Sequence, residues 1–77
     1  MSNEAESVSA FSLEGREYIA LHAILKVEGW CPSGAAAKHT IDAGDVRVDG
    51  AVELRRRCKI LPGQLVEMHG SKVMVTA

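Results

Sequence analysis

The sequence predicts an α+β domain: two short helices packed on a small, mostly antiparallel, curled sheet. Three observations predict it. Apolar residues between Tyr18 and Glu28 recur at helical spacing. A second stretch, Ser33 to Ala43, opens on a capping serine and runs through three consecutive alanines. From Val46 onward the apolar period drops to two, and glycine-containing turn signals interrupt the chain every few residues. With 77 residues there is room for one domain with a small core, since a chain this short buries only about 60% of its unfolded surface.

Met1 to Ala10 is small, polar and acidic, and reads as a flexible tail that leaves residues 11–77 as a single domain. Phe11-Ser12-Leu13 alternates and is expected as a short edge strand. Tyr18, Leu21, Ile24 and Leu25, with Val27 beside them, make the apolar stripe of the first helix. Gly29 suits the left-handed position that ends it, and Trp30 is expected to fold back on the stripe. Ser33 is the predicted N-cap of the second helix, which ends at Ala43 with Gly44 as its left-handed cap. Val46 and Val48 then face inward, with Asp45, Arg47 and Asp49 outward. Asp49-Gly50 predicts a two-residue type I′ hairpin turn, which needs positive φ at both positions. Val52 and Leu54 are expected to continue the inward set on the return strand, with Glu53 and Arg55 outward. Pro62-Gly63 marks a turn, Leu65 to Met68 a strand, His69-Gly70-Ser71 a second turn, and Lys72 to Thr76 a closing strand with Val73 and Val75 inward.

Hydrophobic content of 47% with 25% charged residues is that of a globular protein and too apolar for a disordered one. A net charge of −1 excludes a nonspecific polycation. Its distribution is uneven. Seven of the nine Lys and Arg residues, but five of the ten Asp and Glu residues, lie in residues 38–77, giving that part +2 and the rest −3. A locally basic surface on a nearly neutral protein attracts phosphate, and salt weakens that attraction.

The densest charge is Arg55-Arg56-Arg57-Cys58-Lys59. In an extended segment Arg55, Arg57 and Lys59 share one face, with Cys58 and Ile60 packing on the other. The planar fork of arginine suits phosphate because it donates two parallel hydrogen bonds. The same charges equally suit a solvated edge strand guarded against aggregation. Lys38 and His39 in the second helix and Arg47 on the first hairpin strand extend the cationic set if the fold brings them together. Ser33 opens a helix N-terminus, which attracts anions as well as capping the helix.

Catalysis finds no support: GxSxG, HExxH and Walker-type loops are absent from the sequence. Asp42 and Asp45 flank a helix end, where Asp45 supports the turn into the strand. Cys31 and Cys58 are too few for a zinc site, His22, His39 and His69 do not complete one, and both thiols are expected to be free. His22 reads as a half-buried structural histidine and Trp30 as a core anchor. The aromatic rings are Phe11, Tyr18 and Trp30, so platforms for splayed bases are scarce. No apolar run approaches the roughly 20 residues that span a bilayer, and no basic segment leads into a hydrophobic one, so a cytoplasmic protein without a membrane partner is expected.

An ordered set of positions runs through residues 17–68: Leu21, Leu25, Gly29, Ser33, Ala37, Lys38, Ile41, Gly44, Val46, Val48, Asp49, Gly50, Gly63 and Gln64. This set resembles the RNA-binding module named after small-subunit ribosomal protein four, the S-four or alpha-L domain, in its stand-alone bacterial form. The resemblance implies an RNA-binding protein that acts as a monomer, with no cofactor and no catalytic residues, and with structured RNA, ribosomal or transfer RNA among the candidates, as its partner. It places Lys38 and His39 where the family usually has two basic residues, Arg47 at the outward position of the Val-x-Val strand, and Arg55 to Lys59 where further cations lie. Ala20 and Gly34 occupy places that are basic in many members, and His22 stands where an acid is common. The departures shift the burden toward the Arg55–Lys59 segment. The expected function is therefore docking of structured RNA through a face made by the second helix, the first hairpin strand and that segment, with Ser33, Lys38, His39, Arg47, Arg55, Arg56, Arg57 and Lys59 as its contacts. Double-stranded RNA is read mainly by shape and backbone, which a few cations suit. The alternative is a protein-interaction adaptor that turns the same basic face to an acidic protein.

Overall fold

Alternation along Val46-Arg47-Val48 sets the central strand: both valines are buried and Arg47 is exposed. The computed structural model describes residues 8–77. These form β1 (Ser9–Ser12), β2 (Ile19–Ala20), α1 (Leu21–Val27), α2 (Gly34–Asp42), β3 (Val46–Val48), β4 (Ala51–Val52), β5 (Lys59–Ile60), β6 (Leu65–Met68) and β7 (Ser71–Thr76). The main sheet has the order β1-β7-β6-β3-β4, and β2 pairs with β5 in a small second sheet. β1 runs parallel to β7, and the other pairings are antiparallel. The expected α+β class, with a mostly antiparallel sheet, is the class observed.

The helices lie over one face of the main sheet. Leu21, Ile24 and Leu25 of α1 and Ala37 and Ile41 of α2 share a core with Leu13, Ile60, Val46, Val66, Val73 and Val75. Each large apolar side chain contributes about 1.5–3 kcal/mol on burial. Ala37 is fully buried, and its small side chain lets the two helices approach closely. Trp30 packs against this core, as its place after Gly29 predicts.

Several local signals act as read. The Ser33 hydroxyl accepts the Ala36 N–H at 3.1 Å, and Gly44 follows α2 with φ +82°. Asp49 and Gly50 have φ of +52° and +86°, and Val48 faces Ala51 across the turn, as a type I′ hairpin requires. The Asp49 carboxylate accepts the Leu65 N–H at 2.9 Å and the Gln64 side-chain amide at 3.1 Å. These bonds pin the hairpin tip to the Pro62-Gly63 turn and hold the Asp49 carboxyl below its ordinary pKa.

Three expectations are corrected. The expected tail at residues 1–10 ends early, because β1 already begins at Ser9. Ser9 pairs with Val73 of β7, and its hydroxyl donates to the Glu28 carboxylate at 2.8 Å. The remainder of that expectation, residues 1–7, lies outside the described residues. The first helix starts at Leu21 rather than Tyr18, because Ile19 and Ala20 pair with Ile60 and Lys59 instead. The apolar stripe is thus Leu21, Ile24 and Leu25, and Tyr18 and Val27 are exposed. Finally, the inward pattern stops at Val52. β4 is two residues long, Val52 is 51% exposed and Leu54 59% exposed. Beyond β4 the Glu53 carboxylate takes the Arg55 backbone and side chain as donors, and the chain turns at Arg55–Cys58.

Candidate nucleic-acid interface

The basic segment is a turn rather than the extended strand expected, because the Cys58 N–H donates back to the Arg55 carbonyl at 3.1 Å. Arg55, Arg57 and Lys59 therefore do not simply alternate along one strand. The turn is docked on the start of α1, whose N-cap, Ala20, has no side-chain oxygen to offer. The Cys58 carbonyl accepts the Leu21 N–H at 2.9 Å and the Arg56 carbonyl accepts the His22 N–H at 3.0 Å. Backbone from the turn thereby satisfies helix donors that would otherwise need a cap.

Side chains fasten the other side of the turn. Arg56 grips Asp42, the last residue of α2, with both carboxylate oxygens engaged and Nε to Oδ1 at 2.9 Å. The Arg56 hydrogen bond and charge, with a smaller contribution from His39, hold the Asp42 carboxyl below its usual range. Arg55 forks onto Glu53 at 2.9 and 3.0 Å. Hydrogen bonds from Arg55 bring the Glu53 carboxyl down to about 2.

The remaining cations mark the open part of the surface. Among the described residues Lys38, Arg47, Arg57 and Lys59 form no ion pair with a carboxylate. His22 is half-buried, as expected. Its pKa is lowered by burial first and then by the positive charges of Lys38 and Arg57. Those two cations, from α2 and the turn, thus raise the potential at one point on α1. An open depression of about 440 Å³ is lined by Arg55, Arg57, Cys58 and Lys59. Burial and the Glu53 charge push the half-buried Cys58 thiol up. The Lys59 ammonium sits 4.9 Å from the centroid of the Tyr18 ring.

The fold therefore gathers Lys38, His39, Arg55, Arg56, Arg57 and Lys59 around α2, the turn and the start of α1. The Ser33 hydroxyl is engaged as the helix cap. Arg47 stands apart: its neighbours in register are Val52 and Glu67, on the sheet face turned away from the helices. Asp45 faces His69 of the β6–β7 turn at 3.3 Å, at the end of the strand next to β3. Sequence reasoning missed the involvement of Tyr18, Asp42 and Glu53 in this surface, because each joins through pairing or turn geometry. The Glu53-x-Arg55 spacing was the one local signal.

Residues 11–76 match the S4 domain family. The chain belongs to that family. Among its relatives is "Putative RNA-binding protein YbcJ" of Escherichia coli (strain K12), 50% identical over 70 residues that span 91% of this chain and 100% of the relative. YbcJ of Shigella flexneri is equally similar, 50% over 70 residues. The solution structure of Escherichia coli YbcJ superposes with a TM-score of 0.74 at 47% identity, covering 100% of this chain and 98% of that one. That structure is described as revealing an alfaL motif involved in RNA-binding.

Proposed function

We propose that this chain is a monomeric, cytoplasmic RNA-binding protein that docks structured RNA, ribosomal or transfer RNA being candidates, through shape and phosphate contacts. The observation that carries the reading is the depression lined by Arg55, Arg57 and Lys59, of which Arg57 and Lys59 pair with no carboxylate among the described residues, in a chain of the S4 domain family. Lys38, Arg57 and Lys59 make the leading phosphate contacts. Arg55, Arg56 and His39 contribute at the edge, and the helix end at Ser33 assists. Arg47 makes a separate contact from the outer sheet face. Residues 9–77 act in this as one domain without cofactor or catalysis. The YbcJ relatives support the choice of RNA, because the resemblance extends over the whole domain.

The test is crosslinking in cells, with sequencing of RNA recovered on the tagged protein, beside a Lys38→Ala/Arg57→Ala/Lys59→Ala variant. Enrichment of defined RNA helices, lost in the variant, is expected. A folded protein that recovers no RNA above background, and captures an acidic protein instead, would overturn the reading in favour of an adaptor.

A further inference from the structure

We propose that Tyr18 is a stacking platform for one unpaired nucleobase at the rim of the cationic depression, so that the preferred ligand is an RNA helix carrying a bulged or looped nucleotide. The proposal rests on the RNA reading above and names a subsite within it.

Of the three rings, Phe11 and Trp30 pack against the core, whereas Tyr18 is 41% exposed. Its backbone is nevertheless firmly placed. Ile19, next in sequence, is buried and pairs with the buried Ile60, and Ala20 pairs with Lys59. That pairing sets the Lys59 ammonium over the ring at 4.9 Å, an attraction between a cation and the negative ring face. Lys59 also lines the depression with Arg55 and Arg57. A phosphate drawn to Lys59 and Arg57 brings its own base to the ring. As the ammonium turns to the phosphate, it uncovers the π-face that the base then takes. Every base has such a face, so the platform selects an unpaired nucleotide rather than a sequence.

Base–aromatic stacking of ordinary strength is worth about a 5- to 150-fold change in affinity on removal of the ring. The probes are a hairpin RNA with one bulged 2-aminopurine and the same stem fully paired. Wild-type protein should bind the bulged RNA more tightly and quench its 2-aminopurine fluorescence. Tyr18→Leu should lose about 5- to 150-fold on the bulged RNA alone, and Tyr18→Phe should retain both affinities. The quenching needs no variant, so it stands even if a substitution disturbs folding. Equal binding of the two RNAs without quenching, or an equal loss on both in Tyr18→Leu, would overturn the platform while leaving RNA binding intact. Wild-type binding to neither RNA would overturn both.

Discussion

Removing one exposed negative charge beside the basic turn should tighten RNA binding. In the free protein Asp42 holds the Arg56 guanidinium through both carboxylate oxygens, and both side chains are about half exposed, at 44% and 52%. A guanidinium so engaged offers little of its fork to phosphate. Asp42→Asn leaves Arg56 in place, frees its fork and removes a carboxylate that repels phosphate. Each phosphate neutralised steepens the dependence of log K on log salt by about 0.7–0.9. Between about 1 M and 0.1 M salt that is about 5- to 8-fold in affinity per contact. Four or five contacts give the wild-type protein a slope of about −3 to −4. Asp42→Asn should therefore bind about 5- to 8-fold more tightly at about 0.1 M salt, with a slope steeper by about 0.7–0.9.

The assay is fluorescence anisotropy of a labelled hairpin RNA, titrated at several salt concentrations between about 50 and 200 mM. Asp42→Asn/Arg56→Gln is the control. It exchanges one neutral pair for another and should restore the wild-type slope. Unchanged binding in both variants would show that Arg56 never meets phosphate. Weaker binding by a folded Asp42→Asn protein would refute the reasoning outright, because the clamp would then matter through order in the turn rather than through charge.

Lys38→Ala and Arg57→Ala, whose charges are unpaired, should each lower affinity about 5- to 8-fold at about 0.1 M salt and flatten the slope, read by the same anisotropy titration. His22 has a depressed pKa in the fold, so the unfolded chain takes up its proton first. The stability His22 contributes is full above its ordinary pKa of 6.5 and falls as pH drops through that value, a loss that urea melts should show and that His22→Gln should remove. RNA phosphate beside His22 reverses the effect on affinity, so anisotropy should report binding that strengthens on acidification through the same range, again dependent on His22. Ser33→Ala removes the α2 cap and should cost about 1 kcal/mol, or a Tm lower by about 4–8 °C in thermal melts.

What the sequence made legible was what short stretches decide. Ser33 at a helix start, Gly44 at a helix end and Asp49-Gly50 between two alternating segments each act within a few residues of themselves, and each is found where it was expected. The misplaced residues answer to distant partners. Tyr18 has helical spacing with Leu21 and Leu25, but the pairing of Ile19 with Ile60 keeps it out of the helix. Ser9 and Ala10 look like tail until the closing strand β7 is folded beside them. Leu54 and Arg55 carry an alternating pattern that a carboxylate two residues back, Glu53, cuts short by bonding the Arg55 N–H. The site inherited these errors. Its charges were readable as composition, but which of them pair with acids and which stay open depended on the turn.

The positions that mark the family are, with Lys38 as the exception among the polar ones, already engaged inside the protein. Leu21, Leu25, Ala37, Ile41, Val46 and Val48 are buried. The Ser33 hydroxyl caps α2, and both Asp49 oxygens accept hydrogen bonds. The Gln64 amide reaches the Leu61 N–H and Asp49. These groups build the scaffold, so the proposed phosphate contacts fall mainly to Lys38 and to side chains outside the set. The turn is tied to α1 by the carbonyls of Arg56 and Cys58. A backbone carbonyl serves equally well whatever side chain its residue carries. Position at Arg55–Cys58 is thus set at the backbone by the helix and fastened by the Arg55 and Arg56 side chains, while the charge presented at Arg57 can change without loosening the tie. Substitutions at Arg57 should accordingly move RNA affinity with little effect on stability, whereas insertion of one residue into the turn should weaken both.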